Sequence, residues 1–98
     1  MNAFQQLISS GKPVLVDFTA TWCGPCKIMT PVLEQLKRNL GERITIIKID
    51  IDKSPQTATA YQVQSVPTLI LFREGIAKWR QSGVMTAAVL MDALGKYL

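Results

Sequence analysis

Apolar and polar residues alternate along the chain in two distinct rhythms. Behind Asn2, a candidate cap, Phe4, Leu7 and Ile8 recur at helical spacing, and Gly11 ends the segment. Pro13 then opens Val14-Leu15-Val16-Asp17-Phe18, a nearly continuous apolar run of the kind covered on both faces of a sheet. Thr19 to Pro25 is rich in turn formers. Beyond it Ile28, Met29, Val32, Leu33, Leu36 and Leu40 repeat at three and four, and Gly41 stops the helix. Pro31 lies inside that repeat and predicts a kink rather than a break. Ile44 to Ile49 reads as a second strand, apolar apart from Thr45 and Lys48. Ser54-Pro55 reads as cap and first turn of a short helix reaching about Tyr61. Thr68 to Phe72 is a third strand, Arg73-Glu74-Gly75 a tight connection, and Ile76 to Gln81 a fourth strand. After Gly83 a last helix is expected from about Thr86 to Leu98, burying Val89, Leu90, Ala93, Leu94 and Tyr97.

The order is helix, strand, helix, strand, helix, strand, strand, helix. Its first part makes a parallel strand–helix–strand unit and its later strands a hairpin, so the expected class is α/β, a mixed four-stranded sheet flanked by helices. With 98 residues there is room for one domain, residues 1–98, and no internal repeat or linker is present. Eleven basic residues face seven acidic ones, for a net charge of +4. Only Lys37 and Arg38 are adjacent, so no basic run of the nucleic-acid type exists, and the charge reads mainly as solvated surface, with an acidic protein partner as the second reading. No apolar stretch approaches a membrane span. Asn2, Gln5, Gln6, Ser9 and Ser10 interrupt any signal-peptide core. With Met1 as the native start, the expected location is the cytoplasm.

The chemistry concentrates in two cysteines, with no histidine anywhere. Trp22-Cys23-Gly24-Pro25-Cys26-Lys27 stands where the first strand hands over to the long helix. A helix starting near Cys23 sets its sulfur beside unsatisfied backbone N–H groups and the positive dipole end, both of which favour the thiolate. Cys26 is one turn on, on the same face. Gly24 allows a tight turn there and Pro25 fixes its shape. Other readings are weaker. A crosslink closing so short a loop adds little stability. Zinc needs about four ligands and finds two thiolates. A c-type haem site needs histidine after the second cysteine, where Lys27 stands. Redox exchange is the reading that fits, with no bound metal.

The segment from Trp22 to Lys27 resembles the active-site hexapeptide of the thioredoxins. The resemblance extends to Val16-Asp17-Phe18, Pro31, Lys48, Val66-Pro67-Thr68, Gly75 and Gly83, nearly the whole chain. It implies that 14–18 and 44–49 pair in parallel, that 68–72 lies on the other side of 14–18, that 76–81 forms an edge, and that Pro67 is cis beside the dithiol. It also implies that Asp17 is buried below the dithiol with a raised pKa and takes a proton from Cys26. Lys48 is expected either to act electrostatically on Asp17 or to extend its stem to water. Lys27 is expected on the helix surface. Trp22, Gly24, Pro25, Val66, Pro67 and Gly83 are expected to form a flat apolar patch around Cys23, where an extended peptide adds by strand-like hydrogen bonds. Trp79 reads as packing.

The implied reaction is reduction of protein disulfides, with Cys23 attacking and Cys26 resolving. A flavin-containing, NADPH-dependent thioredoxin reductase would restore the dithiol, and no cofactor would be bound in the chain. Alternatives are a disulfide oxidant or isomerase and a non-catalytic binding module; a metal-bridged dimer is more remote. The chain departs from the family at Thr19, at Ser65, and in having no room for the strand that usually precedes the first helix. That absence leaves the outer edge of 44–49 open, so the expected state is a monomer with weak self-association there.

Overall fold

The computed structural model describes residues 2–98. Helix α1 (Ala3–Ile8) leads to strand β1 (Val14–Thr19), helix α2 (Gly24–Leu40), strand β2 (Thr45–Asp50) and helix α3 (Pro55–Ala60). Strands β3 (Thr68–Arg73) and β4 (Ile76–Ser82) follow, then helix α4 (Ala87–Leu94) and a 3-10 turn (Gly95–Tyr97). The sheet order is β2-β1-β3-β4. β1 and β2 run parallel, with Asp17 opposite Lys48. β3 runs antiparallel to both β1 and β4. The strand pairing expected from the resemblance is the one observed. Among the described residues no strand precedes α1, and β2 pairs with β1 alone.

Alternation along β1 splits the core between the two faces of the sheet. Leu15 points into a cluster with Met29, Leu33, Leu36, Leu69, Leu71, Leu90 and Leu94, roofed by α2 and α4. Val14, Val16 and Phe18 point into the other, with Ile8, Ala58, Val63, Ile70 and Phe72. Phe4, Tyr61 and Phe72 meet there edge to face or tilted, with ring centroids 5.2–5.9 Å apart. Asp17 shares the parity of Leu15 and so lies on the face covered by α2.

As expected, Pro31 does not break α2, which runs through it; the proline has no N–H to offer the Lys27 carbonyl. Other local details differ from expectation. Ser54 precedes α3 as expected, yet its side chain makes no capping bond. The turn is shaped instead by Asp50, whose Oδ1 accepts from the N–H groups of Asp52 (2.8 Å) and Lys53 (3.2 Å). α4 ends at Leu94 rather than Leu98, and Val89 is 53% exposed rather than buried. Thr86 caps α4 by accepting from the Val89 N–H. Leu90 and Leu94 then form the inward stripe, and Met85, just ahead of the helix, completes the seal. The caps at Asn2 and Gly41 are as expected, and Asn2 forms a full capping box with Gln5.

Candidate active site

Cys23 is the N-cap of α2. Its backbone is extended, and its Sγ accepts the Cys26 N–H at 3.1 Å. A sulfur in this position satisfies one of the helix's orphan donors and sits at the positive end of a 17-residue helix. Cys26 lies in the first turn, its Cα 5.3 Å from that of Cys23, and the two sulfurs form a disulfide with a dihedral of 80°. Pro25 stands in the first turn of the helix, where its missing N–H costs nothing. Gly24 is not needed for the turn. It is helical without a positive φ, and a Cβ there would meet open space.

Both cysteines are only 4% exposed and pack with Ala20, Ile51 and Val66. Cys23 Sγ lies 3.6 Å from the Val66 carbonyl oxygen. The Val66–Pro67 peptide is cis. Pro67 is buried, so it underlies the site rather than lining its surface, and its carbonyl accepts the Gly83 N–H at 2.9 Å. Gly83 has a φ of 96°, a backbone conformation that a side chain at this position would resist. Trp22 is 68% exposed, and Gly24 and Pro25 are exposed beside it.

Asp17 is 1% exposed, and its Oδ1 has no hydrogen-bond partner. Burial pushes its pKa up to about 6, and the positive charge of Lys48 works against that rise. Lys48 itself is exposed, with Nζ 3.4 Å from Thr30 Oγ1. Among the described residues the single ion pair is Lys12–Glu42, so Lys48 reaches water and acts on Asp17 through space. Lys27 is exposed on the helix as expected, and Trp79 packs against the α2-side core.

Two supporting residues escaped the sequence reading. Asp52 Oδ2 accepts the Trp22 indole N–H at 2.8 Å, across thirty residues of chain. The available signal was an acidic turn, Asp50 to Asp52, directly after a strand. Arg80 on β4 donates to the carbonyls of Tyr61 and Gln62 at the end of α3, and nothing in its local sequence announces it.

A helix-capping sulfur joined to a second sulfur one turn away, with a backbone acceptor and an exposed indole alongside, defines a dithiol–disulfide exchange protein on a mixed α/β sheet. The thioredoxin family profile matches residues 1–96. The chain belongs to the thioredoxin family and is a disulfide oxidoreductase of that type. It is 53% identical to a thioredoxin-like protein of Synechocystis sp. over 93 residues, 95% of this chain and 89% of the relative. It is 47% identical over 91 residues to a bifunctional thioredoxin reductase/thioredoxin of Mycobacterium leprae, covering 93% of this chain and 20% of that longer protein. Among solved structures, a mutant thioredoxin from Halobacterium salinarum superimposes with a TM-score of 0.87 at 36% identity, covering 96% of this chain and 81% of that one. No helix among the described residues is long and apolar enough to cross a membrane.

Proposed function

We propose that this chain, acting as one domain, reduces protein disulfides with Cys23 as nucleophile and Cys26 as resolving thiol. The observation that carries the assignment is the Cys23 sulfur at the α2 N-cap, accepting the Cys26 N–H. In the reduced protein that donor and the helix dipole stabilise a Cys23 thiolate. The thiolate attacks one sulfur of the target. A Cys23–target bond forms, the target's own S–S bond breaks, and the departing sulfur takes up a proton. Cys26 then gives its proton to Asp17 and attacks Cys23 Sγ; the Cys23–target bond breaks, the departing sulfur takes a proton from water, and the target leaves as a dithiol. The target gains two electrons, and the Cys23–Cys26 disulfide holds the oxidation. Lys48 tunes Asp17 from outside.

The groove is framed by Trp22, Gly24, Pro25, Val66 and Gly83, with Pro67 beneath. Backbone groups beside Val66 suit an extended target segment, read by strand-type hydrogen bonds that any sequence offers. A flavin-containing, NADPH-dependent thioredoxin reductase returns the electrons, without a cofactor bound in this chain. The M. leprae relative, whose name joins a reductase and a thioredoxin in one protein, supports that partnership. The reading calls for a compartment supplied with reductant, the cytoplasm, and for a largely monomeric protein.

The test is dithiothreitol-driven reduction of insulin by wild type, Cys23→Ser and Cys26→Ser. Turnover is expected in wild type and absent in both variants, with a mixed disulfide trapped only on Cys26→Ser. A wild type no faster than dithiothreitol alone would overturn the assignment and leave a binding module.

A further inference from the structure

The segment from Tyr61 to Thr68 runs from the end of α3 to the start of β3 and contains Val66, whose carbonyl faces the Cys23 sulfur. Between the two elements it has no regular structure; Val63 anchors it in the core, and individual hydrogen bonds place the backbone on either side. At its start Gln62 adopts a φ of 55°, a left-handed conformation that a non-glycine residue resists. There the Gln62 N–H donates to Thr59 O (3.0 Å) and the Val63 N–H to Ala58 O (2.8 Å). These are the two bonds of a Schellman close. The remaining bonds come from strands β3 and β4 and the residue after them. Arg80 sends one guanidinium nitrogen to the Tyr61 carbonyl and another to the Gln62 carbonyl, the latter at 2.7 Å. Thr68 Oγ1 donates to Ser65 O at 2.6 Å and lies 2.8 Å from Ser82 Oγ. With the Thr68 proton committed to Ser65, the Ser82 hydroxyl is the donor of that second bond. The Gly83 N–H holds Pro67 O.

We propose that Arg80, with Thr68 and Ser82, positions the Tyr61–Val66 backbone beside the dithiol and so sets how tightly an extended protein substrate is held. The inference rests on the groove reading above. Arg80 suits this task because a planar guanidinium spans two neighbouring carbonyls at once, where a lysine offers a single point charge. Its charge also meets the negative end of α3. It touches neither sulfur, and it acts through the loop.

The experiment uses the full chain with Arg80→Met, which keeps the stem and removes the fork, alone and combined with Gln62→Gly. Gln62→Gly relieves the left-handed backbone and restores stability without restoring the bonds from β4. In Arg80→Met the KM for insulin is expected to rise about three- to tenfold with little change in kcat. Turnover of the small disulfide 5,5′-dithiobis(2-nitrobenzoate), which spans no groove, is expected to stay at the wild-type level. Amide exchange at Gln62 and Val63, whose N–H groups close α3 under the Arg80 fork, is expected to accelerate. Adding Gln62→Gly is expected to recover the melting temperature and leave the KM raised. Recovery of KM together with stability would overturn the proposal, since Arg80 would then serve stability alone. An equal fall with both substrates, or no change with either, would also overturn it. Should wild type itself fail to reduce insulin, the groove reading falls, and unchanged amide exchange in Arg80→Met would separately refute the clamp.

Discussion

Asp17 is the residue whose environment departs furthest from its type. A carboxyl with a pKa near 6 in the fold and about 4 in the unfolded chain is protonated longer in the native state. Between about pH 4 and 6 the unfolded chain loses this proton while the native protein still holds it. Stability therefore falls as pH rises through that window, and the full cost is present above about pH 6. Asp17→Asn is expected to stabilise the oxidised protein by about 2 kcal/mol near pH ~8 and to have little effect below pH ~4, as read by denaturant melts across pH. The same substitution is expected to slow release of the mixed disulfide and to flatten its rise through pH ~6. A stability difference independent of pH would contradict the buried-carboxylate account. Asp17 was legible as a charge interrupting an apolar run; its burial beneath the dithiol came from the family resemblance, since a solvated place at the strand end would give the same pattern. Asp52 was not, because its partner Trp22 is distant in sequence and brought near only by the β2–α3 turn.

At the scale of elements, punctuation made the boundaries legible. Pro13 opens β1, Gly41 ends α2, and Glu74-Gly75 turns β3 into β4. That last turn places positive φ on both central residues, 52° at Glu74 and 82° at Gly75, as tight hairpins of this twist require. Gly75 is also pinned by the end of α1 packed on it. Its N–H donates to Ile8 O at 2.9 Å, and a Cβ would stand 2.8 Å from Ser9 Oγ. Gly75→Ala is expected to cost about 1–2 kcal/mol, through left-handed strain and displacement of Ser9. A thermal melt unchanged from wild type would show that the turn relaxes freely. Helix α4 was less legible. Val89 and Leu90 are both apolar and adjacent, and only the Thr86 cap and the docking angle decide that Leu90 faces in. Likewise the left-handed Gln62 could not be read, because a Schellman close ordinarily announces itself with glycine.

The sheet ends in two edge strands, β2 and β4, and β2 is the edge that bears on self-association. Thr45 N–H bonds Pro13 O and Ile51 N–H bonds Thr19 O, so the odd-numbered residues of β2 face β1, and Ile46 and Lys48 turn their backbone groups outward. An antiparallel pairing of two copies centred on Ile47 would set Ile46 against Lys48 twice, with no like charges directly opposed. Reversible dimerisation is expected to appear only toward concentrations on the order of 1 mM, since two short edges bury little surface. Ile46→Pro, which removes an outward N–H and keeps the ladder to β1, is expected to abolish it. Sedimentation equilibrium showing a monomer at all concentrations for wild type would mean that solvent satisfies the edge. The topology behind this flank was legible from element order and from the family resemblance. The partition of the core was not, because which helix covers which face is decided by packing rather than by any one segment's pattern.

The sheet divides two large apolar clusters, and the sulfurs lie in neither. They sit with Ala20 in a small third group at the mouth of α2. The one S–S bond that is made and broken lies outside both halves of the interior. The molecule thus behaves like a rechargeable cell. Its state of charge is written at a single terminal, set apart from the two clusters that make up the body.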